Sequence, residues 1–361
     1  MNSISNIAKS EQEAEAENET LKQFRDITNK DAHAKVHEKL STLKRGINKV
    51  ESPADYLQLD GRELTASLLQ NIFRGTFEFL NNEEINILYI DGGNGDVIDW
   101  FYTKEKIVSR KKVYMHLIEP NQKSVSCDEK IKNTLLYLGK CYTGKVQDYY
   151  RPSQKPPTKL RETFDFINFT HAIHNLTDYS DKGADPYADI IDFVKYFYGL
   201  LRTGSAMFIA YYDASSEFSY INIEYYKDRL HDLVTVENAN KAIDAREKLL
   251  YEGEILQVLN REESATKAKL ESHKISSSYY AKTLADLAVI GLGSDLLKPN
   301  NERFDSNKLD YLLTNIRDSA TKEVGKGERR KYGLSRAERG REALWKVECP
   351  LVICVIRKEV A

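Results

Sequence analysis

The chain has 361 residues, of which 53 are basic and 55 acidic, and 41% are hydrophobic. That length can bury a full α/β core, as one large domain or two smaller ones. The near cancellation of charge excludes a global field drawing in nucleic acid or an anionic membrane, and no stretch approaches the roughly 20 apolar residues of a membrane-spanning helix.

The opening residues, MNSISNIAKSEQEAEAENE, lack the apolar centre of a signal peptide, which predicts a cytoplasmic protein. Residues 1–50 are polar and read as a helical extension, and residues 51–216 read as an α/β core. Within that core an amphipathic helix is predicted over Leu64–Leu80 and a buried strand over Ile85–Ile90, followed directly by the glycine cluster of IDGGNGDVIDW. A second strand, Val113–Ile118, ends at Glu119-Pro120, and a third covers Phe164–Phe169. The helical text DIIDFVKYFYGLL, closed by Thr203-Gly204, leads to a strand at Ala206–Tyr212. Residues 217–275 are charged and helix-like, and predict a helical insertion serving as a lid or substrate lobe.

Residues 276–361 are expected to complete the core. Ile275–Leu287 reads as a helix capped by Ser276–Ser278, Lys326–Lys346 as a basic, solvated loop and helix, and Val352–Arg357 as a final β-branched strand. Cys127, Cys141, Cys349 and Cys354 show no CxxC pairing, which predicts reduced, packed thiols and no metal. Strands alternating with helices imply a Rossmann-like, doubly wound, mostly parallel sheet.

The glycine cluster narrows the ligand. Gly93 and Gly95 let the backbone approach a group that a Cβ would block, as at nucleotide-binding turns. A dinucleotide fingerprint would place a third small residue where Ile98 stands, and no Lys-Ser or Lys-Thr follows to make a P-loop. What remains resembles the loop of class I S-adenosylmethionine-dependent methyltransferases. In that family an acidic residue ending the second strand receives the ribose hydroxyls, and Glu119 stands there; a carboxylate accepts two hydrogen bonds at once.

Over about residues 55–358 the chain further resembles the histamine N-methyltransferase-like enzymes, on the segments IDGGNGDVIDWF, LIEPNQKSV, FDFINFTHAIHNLTD, ISSSYYAKTLADLAVIGLGSDLL and CPLVICVIRK. The resemblance implies a seven-stranded sheet with an antiparallel last strand and a smaller lobe over a small amine. It implies S-adenosyl-L-methionine held by Asp91, Gly93, Gly95, Glu119, Gln122, Ser124 and Thr170. Asp91 departs from the family, which has glycine there, so its carboxylate points away or meets the cofactor's cationic end.

On the acceptor side the resemblance implies Asp60 or Glu63, His171 in place of the family's glutamine, and Glu348 where the family has an asparagine region. His171 and His174 are histidines of a strand-end loop, able to accept a proton or hydrogen bond near pKa ~6.5, or to be structural. Asn175 could anchor polar substrate atoms. Asp213 faces the acceptor or caps the next segment, and Tyr211 and Tyr212 box a cation or pack in the core.

The leading expectation is N-methylation of a small polar molecule, with oxygen as second choice. A protein side chain as acceptor, and a degenerate fold used for binding, are the alternatives. Nucleic acid and membrane partners are not indicated, and the sequence leaves the oligomeric state open.

Overall fold

A computed structural model describes residues 15, 16, 18, 19, 21, 22, 83–90, 112–119, 136–151, 160, 163–170, 173, 176–216, 221–262, 265–275, 278–292, 306–321, 333–339 and 342–361. The chain divides into two compact units, one formed by Met1–Arg62, Ser215–Asp232 and Ser276–Pro350, the other by Glu63–Ala214, Leu233–Ile275 and Leu351–Ala361.

The second unit is built on a seven-stranded sheet of β1 (Glu84–Ile90), β2 (Lys112–Glu119), β3 (Leu136–Thr143), β4 (Phe164–Thr170), β5 (Leu201–Tyr212), β6 (Thr266–Ile275) and β10 (Leu351–Val360). Its spatial order is β3-β2-β1-β4-β5-β10-β6. Strands β3, β2, β1, β4 and β5 are mutually parallel, and β10 runs antiparallel to both β5 and β6. The expected doubly wound, mostly parallel sheet with an antiparallel last strand is therefore the observed one. One register row crosses it: Tyr142, Ile118, Ile90, Phe169, Ile209, Cys354 and Ser272. The central strands read as unbroken apolar runs because both faces are covered; every residue of β4 from Phe164 to Phe169 is buried.

Helices α1 (Gln147–Tyr150), α2 (Pro186–Gly199), α4 (Leu233–Arg246) and α5 (Ile255–Glu262) belong to this unit. Pro186 in the first turn and the Asp185 carboxylate, which accepts from the Ala188 N–H, start α2. Its buried face carries Phe193 and Phe197, and Phe193 packs on Phe169 with ring centroids 4.3 Å apart. Ala239, Ala242 and Ala245 give α4 a small buried stripe. A π-helical turn, Glu247–Tyr251, continues α4.

The amino-terminal half of the sheet is closed by a polar network. Asp165, fully buried, accepts from Arg202 NH1 at 2.9 Å to each carboxylate oxygen and from the Asn86 N–H at 2.8 Å. The Asn86 amide oxygen lies 3.1 Å from His116 Nε2, while the Lys140 N–H donates to His116 Nδ1 at 3.2 Å. That pattern assigns the Nε2–H tautomer, donating to Asn86. The ring sits where β2 and β3 slip register, and a Cβ at Gly139 would come within 2.8 Å of it.

The first unit contains α3 (Ile221–Tyr225) with its own π-helical turn Tyr226–Leu230, β7 (Ser278–Ala281), α6 (Leu284–Leu292), α7 (Ser306–Thr321), β8 (Ser335–Arg339) and β9 (Glu342–Glu348). Its strands form a separate antiparallel sheet, β7-β9-β8. Lys308 is buried with its ammonium 5.0 Å from the Tyr226 ring centre and 5.6 Å from that of Tyr225.

Several expectations are corrected. Ser276 and Ser277 lie outside the described residues, and Ser278 does not cap a helix: it opens β7, and α6 starts after Thr283, whose hydroxyl accepts from the Asp286 N–H while Asp286 accepts from the Thr283 N–H. Within the basic Lys326–Lys346 stretch lie β8 and most of β9, paired antiparallel with Arg339 opposite Glu342. Thr203-Gly204 do not close α2, which ends at Gly199; they lie in a bulge of β5 where Gly204 takes φ +86°. The expected helical insertion ends in β6, a strand of the main sheet, and β3 was missed altogether. None of the described cysteines forms a disulfide, but Cys141 is exposed where a packed thiol was expected.

Candidate functional site

In an open, doubly wound sheet the ligand crevice lies outside the carboxyl ends of the strands, where the strand order reverses. Here that point is between β1 and β4, since β2 and β3 lie to one side of β1 and β4 and β5 to the other. Ile118, Ile90 and Phe169 share one register row. One residue further along, Glu119 ends β2 and Thr170 ends β4, flanking the strand whose next residue in sequence is Asp91. The backbone thus brings these two expected residues to the same edge, on either side of the strand leading into the glycine loop. The Thr170 hydroxyl donates to the buried Asn168 side-chain oxygen at 2.7 Å, which fixes its rotamer.

Asp91, Gly93, Gly95, Gln122, Ser124, His171, His174, Asn175, Asp60 and Glu63 lie outside the described residues. The segment after β4 is nevertheless anchored. Ile173 and Leu176 are buried, and the Leu176 N–H donates to the Ile173 carbonyl. Arg151 NH2 donates to the Leu176 carbonyl at 2.8 Å and to Asp189 Oδ1 at 2.7 Å, and the Thr177 hydroxyl donates to Asp189 Oδ2 at 2.8 Å. Both oxygens of one carboxylate on α2 therefore pin the end of the segment that carries His171, His174 and Asn175. Burial is the largest single influence and works against the Arg151 charge, but Asp189 and Tyr150 together outweigh it and hold the guanidinium pKa above its ordinary value.

Asp213 follows the last residue of β5 and carries a buried carboxylate, 3% exposed. Its Oδ2 lies 3.1 Å from Lys274 Nζ, which is also 2.8 Å from Glu247 Oε1 and 4.2 Å from the centre of the Tyr251 ring. The hydrogen bond to Glu247 is the leading cause of a raised Lys274 pKa, with burial opposing it and Asp213 adding to it. Tyr211 is a core residue rather than part of a box: it is buried, and its hydroxyl donates to the Arg246 carbonyl at 3.2 Å. Glu348 ends β9 opposite Ser278, in the other unit from Asp213, and is half-buried.

Sequence reasoning missed Arg151, Asp189, Lys274, Glu247 and Tyr251. Arg151 and Asp189 are 38 residues apart, Lys274 and Glu247 27 apart, and neither pair makes a local pattern. The position of Asp213 directly after a strand was the local signal.

No protein-family profile matches the chain, and no curated protein matches it. Among solved structures, loganic acid methyltransferase with SAH superimposes with a TM-score of 0.50 at 9% identity, covering 91% of this chain and 97% of that one. The chain has the class I methyltransferase fold. The plantazolicin methyltransferase BamL, in complex with a triazolic desmethylPZN analog and SAH, is similar at TM-score 0.40 and 13% identity, over 96% of this chain and 99% of that one. The YcgJ protein from Bacillus subtilis is similar at TM-score 0.40 and 11% identity, over 82% and 99%. Within the methyltransferase fold, β10 of this chain is the reversed strand, and the β1/β4 edge is the position at which a ligand crevice lies. No helix among the described residues is long and apolar enough to cross a membrane.

Proposed function

We propose that the chain is a cytoplasmic S-adenosylmethionine-dependent methyltransferase acting on a nitrogen of a small polar or amine-bearing molecule. The observation that supports this most is the register that sets Glu119 and Thr170 on either side of the strand entering the glycine loop, in this fold. The ends of β2 and β4 fit the cofactor: a carboxylate at the Glu119 position suits vicinal hydroxyls, and the ordered Thr170 hydroxyl suits a polar edge.

When bound, S-adenosylmethionine supplies an electrophilic sulfonium methyl, so the protein's task is to bind, align and deprotonate an acceptor. In this reading Glu119 accepts the ribose hydroxyls, Gly93 and Gly95 admit the methionine part, and Asp91 meets the cationic end. Gln122, Ser124 and Thr170 line the remainder. His171, with His174 beside it in sequence, accepts the acceptor's proton or a hydrogen bond. Asn175 and Asp213 hold polar substrate atoms. The Arg151–Asp189–Thr177 contacts keep the histidine segment in place.

Isothermal titration with S-adenosylmethionine and S-adenosylhomocysteine tests the reading. Saturable one-site binding is expected, and absence of binding of both overturns it. Radiolabelled methyl transfer into fractionated lysate is then expected to follow the small-molecule fraction; label in protein assigns a protein acceptor instead.

A further inference from the structure

The corner formed by Asp213, Glu247 and Tyr251 has the composition of a site for an organic ammonium. It has two carboxylates at 2.8 and 3.1 Å and an aromatic face at 4.2 Å from one cationic nitrogen. The nitrogen in it belongs to the protein. We infer that Lys274 is a place-holder in an alkylammonium subsite, and that a cationic amine enters this corner by exchanging with the lysine ammonium. The biological use of the exchange rests on the methyl-transfer reading; the binding itself does not.

Three features carry the inference. The walls are fixed independently of the lysine. Glu247 and Tyr251 sit four residues apart on the π-helical turn and so face the same way, and that turn is pinned by one side chain from each of three strands. Tyr211 of β5 donates to the Arg246 carbonyl at 3.2 Å, Cys354 of β10 to the Leu250 carbonyl at 3.5 Å, and Ser272 of β6 to the Tyr251 carbonyl at 2.9 Å. π-Helical turns within α-helices are uncommon and cluster at functional sites.

Asp213 is 3% exposed whereas the Lys274 side chain is 39% exposed, so the carboxylate is the fixed partner and the lysine the one with a path to solvent. Exchange is also electrostatically even-handed. One ammonium replaces another, the buried carboxylate is never left unpaired, and the displaced lysine gains hydration.

The corner is within reach of the proposed chemistry. Asp213 lies three residues beyond Ala210, the register partner of Thr170, which at strand rise is about 10 Å further along the neighbouring strand.

Ethylammonium chloride, with sodium chloride at matched ionic strength as control, is the probe for the full chain. Lys274→Met removes the competing cation and is expected to tighten ethylammonium binding at least tenfold by calorimetry. Adding Asp213→Asn is expected to abolish that gain. Lys274→Gln, whose amide can still bond Asp213 but carries no charge, is expected to show a smaller gain should the methionine variant fold poorly. No gain in either variant, a gain that survives Asp213→Asn, or an equal effect of sodium overturns the subsite. S-adenosylhomocysteine titrated into the same preparations keeps the outcomes apart, since loss of that binding overturns the methyl-transfer reading and leaves the ammonium result standing.

Discussion

The two ends of the seven-stranded sheet are chemically opposite. At the amino end, Arg202, Asp165, Asn86 and His116 satisfy one another in a chain running from β5 across β4 and β1 to β2, and the Lys140 N–H of β3 completes it. At the carboxyl end, polar groups sit at strand termini, and the Glu119 and Thr170 positions border the sequence of the glycine loop. A polar group that joins strands serves stability, whereas one that ends a strand is available to a ligand. In the proposed reading the same sheet separates the two tasks along its strands.

The separation can be broken most severely at Asp165. Asp165→Ala leaves Arg202 and the Asn86 N–H without their acceptor and is expected to cost about 3 kcal/mol in urea unfolding. S-adenosylhomocysteine affinity per folded molecule should stay unchanged, and a matching loss of affinity would erase the distinction between the ends.

At the opposite end, Glu119→Ala is expected to weaken S-adenosylhomocysteine binding by about 10- to 100-fold, as befits lost charge-assisted hydrogen bonds. Its unfolding free energy should move by no more than about 0.5 kcal/mol. Gly139→Ala sharpens the picture of the amino end. The new Cβ would meet the His116 ring at 2.8 Å, and that ring is held at both nitrogens. A loss of about 2 kcal/mol is expected, falling by at least half when His116→Ala is present in a double-mutant cycle.

Thr177→Val removes one of the hydrogen bonds to Asp189 and should cost about 1 kcal/mol, with hydrogen exchange rising at Leu176 before it rises in β4. The mildest probe is titration. Burial pushes the Cys349 and Cys354 thiols up to about 12 from an ordinary value of 9.0. A thiol that ionises more readily when unfolded leaves stability intact below pH 9.0 and erodes it as pH rises toward 12, so Cys354→Ser should flatten part of that alkaline decline.

What was legible in the sequence follows from burial. β1, β2, β4, β5 and β10 announce themselves because a strand covered on both faces must be apolar throughout. β6 hides because it is an edge: Lys267, Lys269, Glu271 and His273 are outward-facing, and the strand reads as charged helical text. β3 hides because Gly139 interrupts its run to make room for His116. The small β7-β9-β8 sheet hides behind arginines, one of which, Arg336, stacks 3.9 Å over Trp345. Glu119 was legible as an acid ending an apolar run. The surroundings of Asp213 were not, because Lys274, Glu247 and Tyr251 meet only after α4, its π-helical turn and β6 are folded together.

The position of β10 has a further consequence, for the order in which the molecule can be made. Leu351–Val360 lies after every other strand in the chain, yet it is wedged between β5 and β6. Among the described strands β6 has no hydrogen-bonding neighbour until those residues emerge during synthesis, and its alternating charges keep the waiting strand in water rather than against another chain. The closing strand acts as a zipper pulled last, joining segments made long before it, and topology of that kind folds slowly. Supplying it as a separate peptide to a chain that stops at Pro350 is a direct way to watch the sheet close.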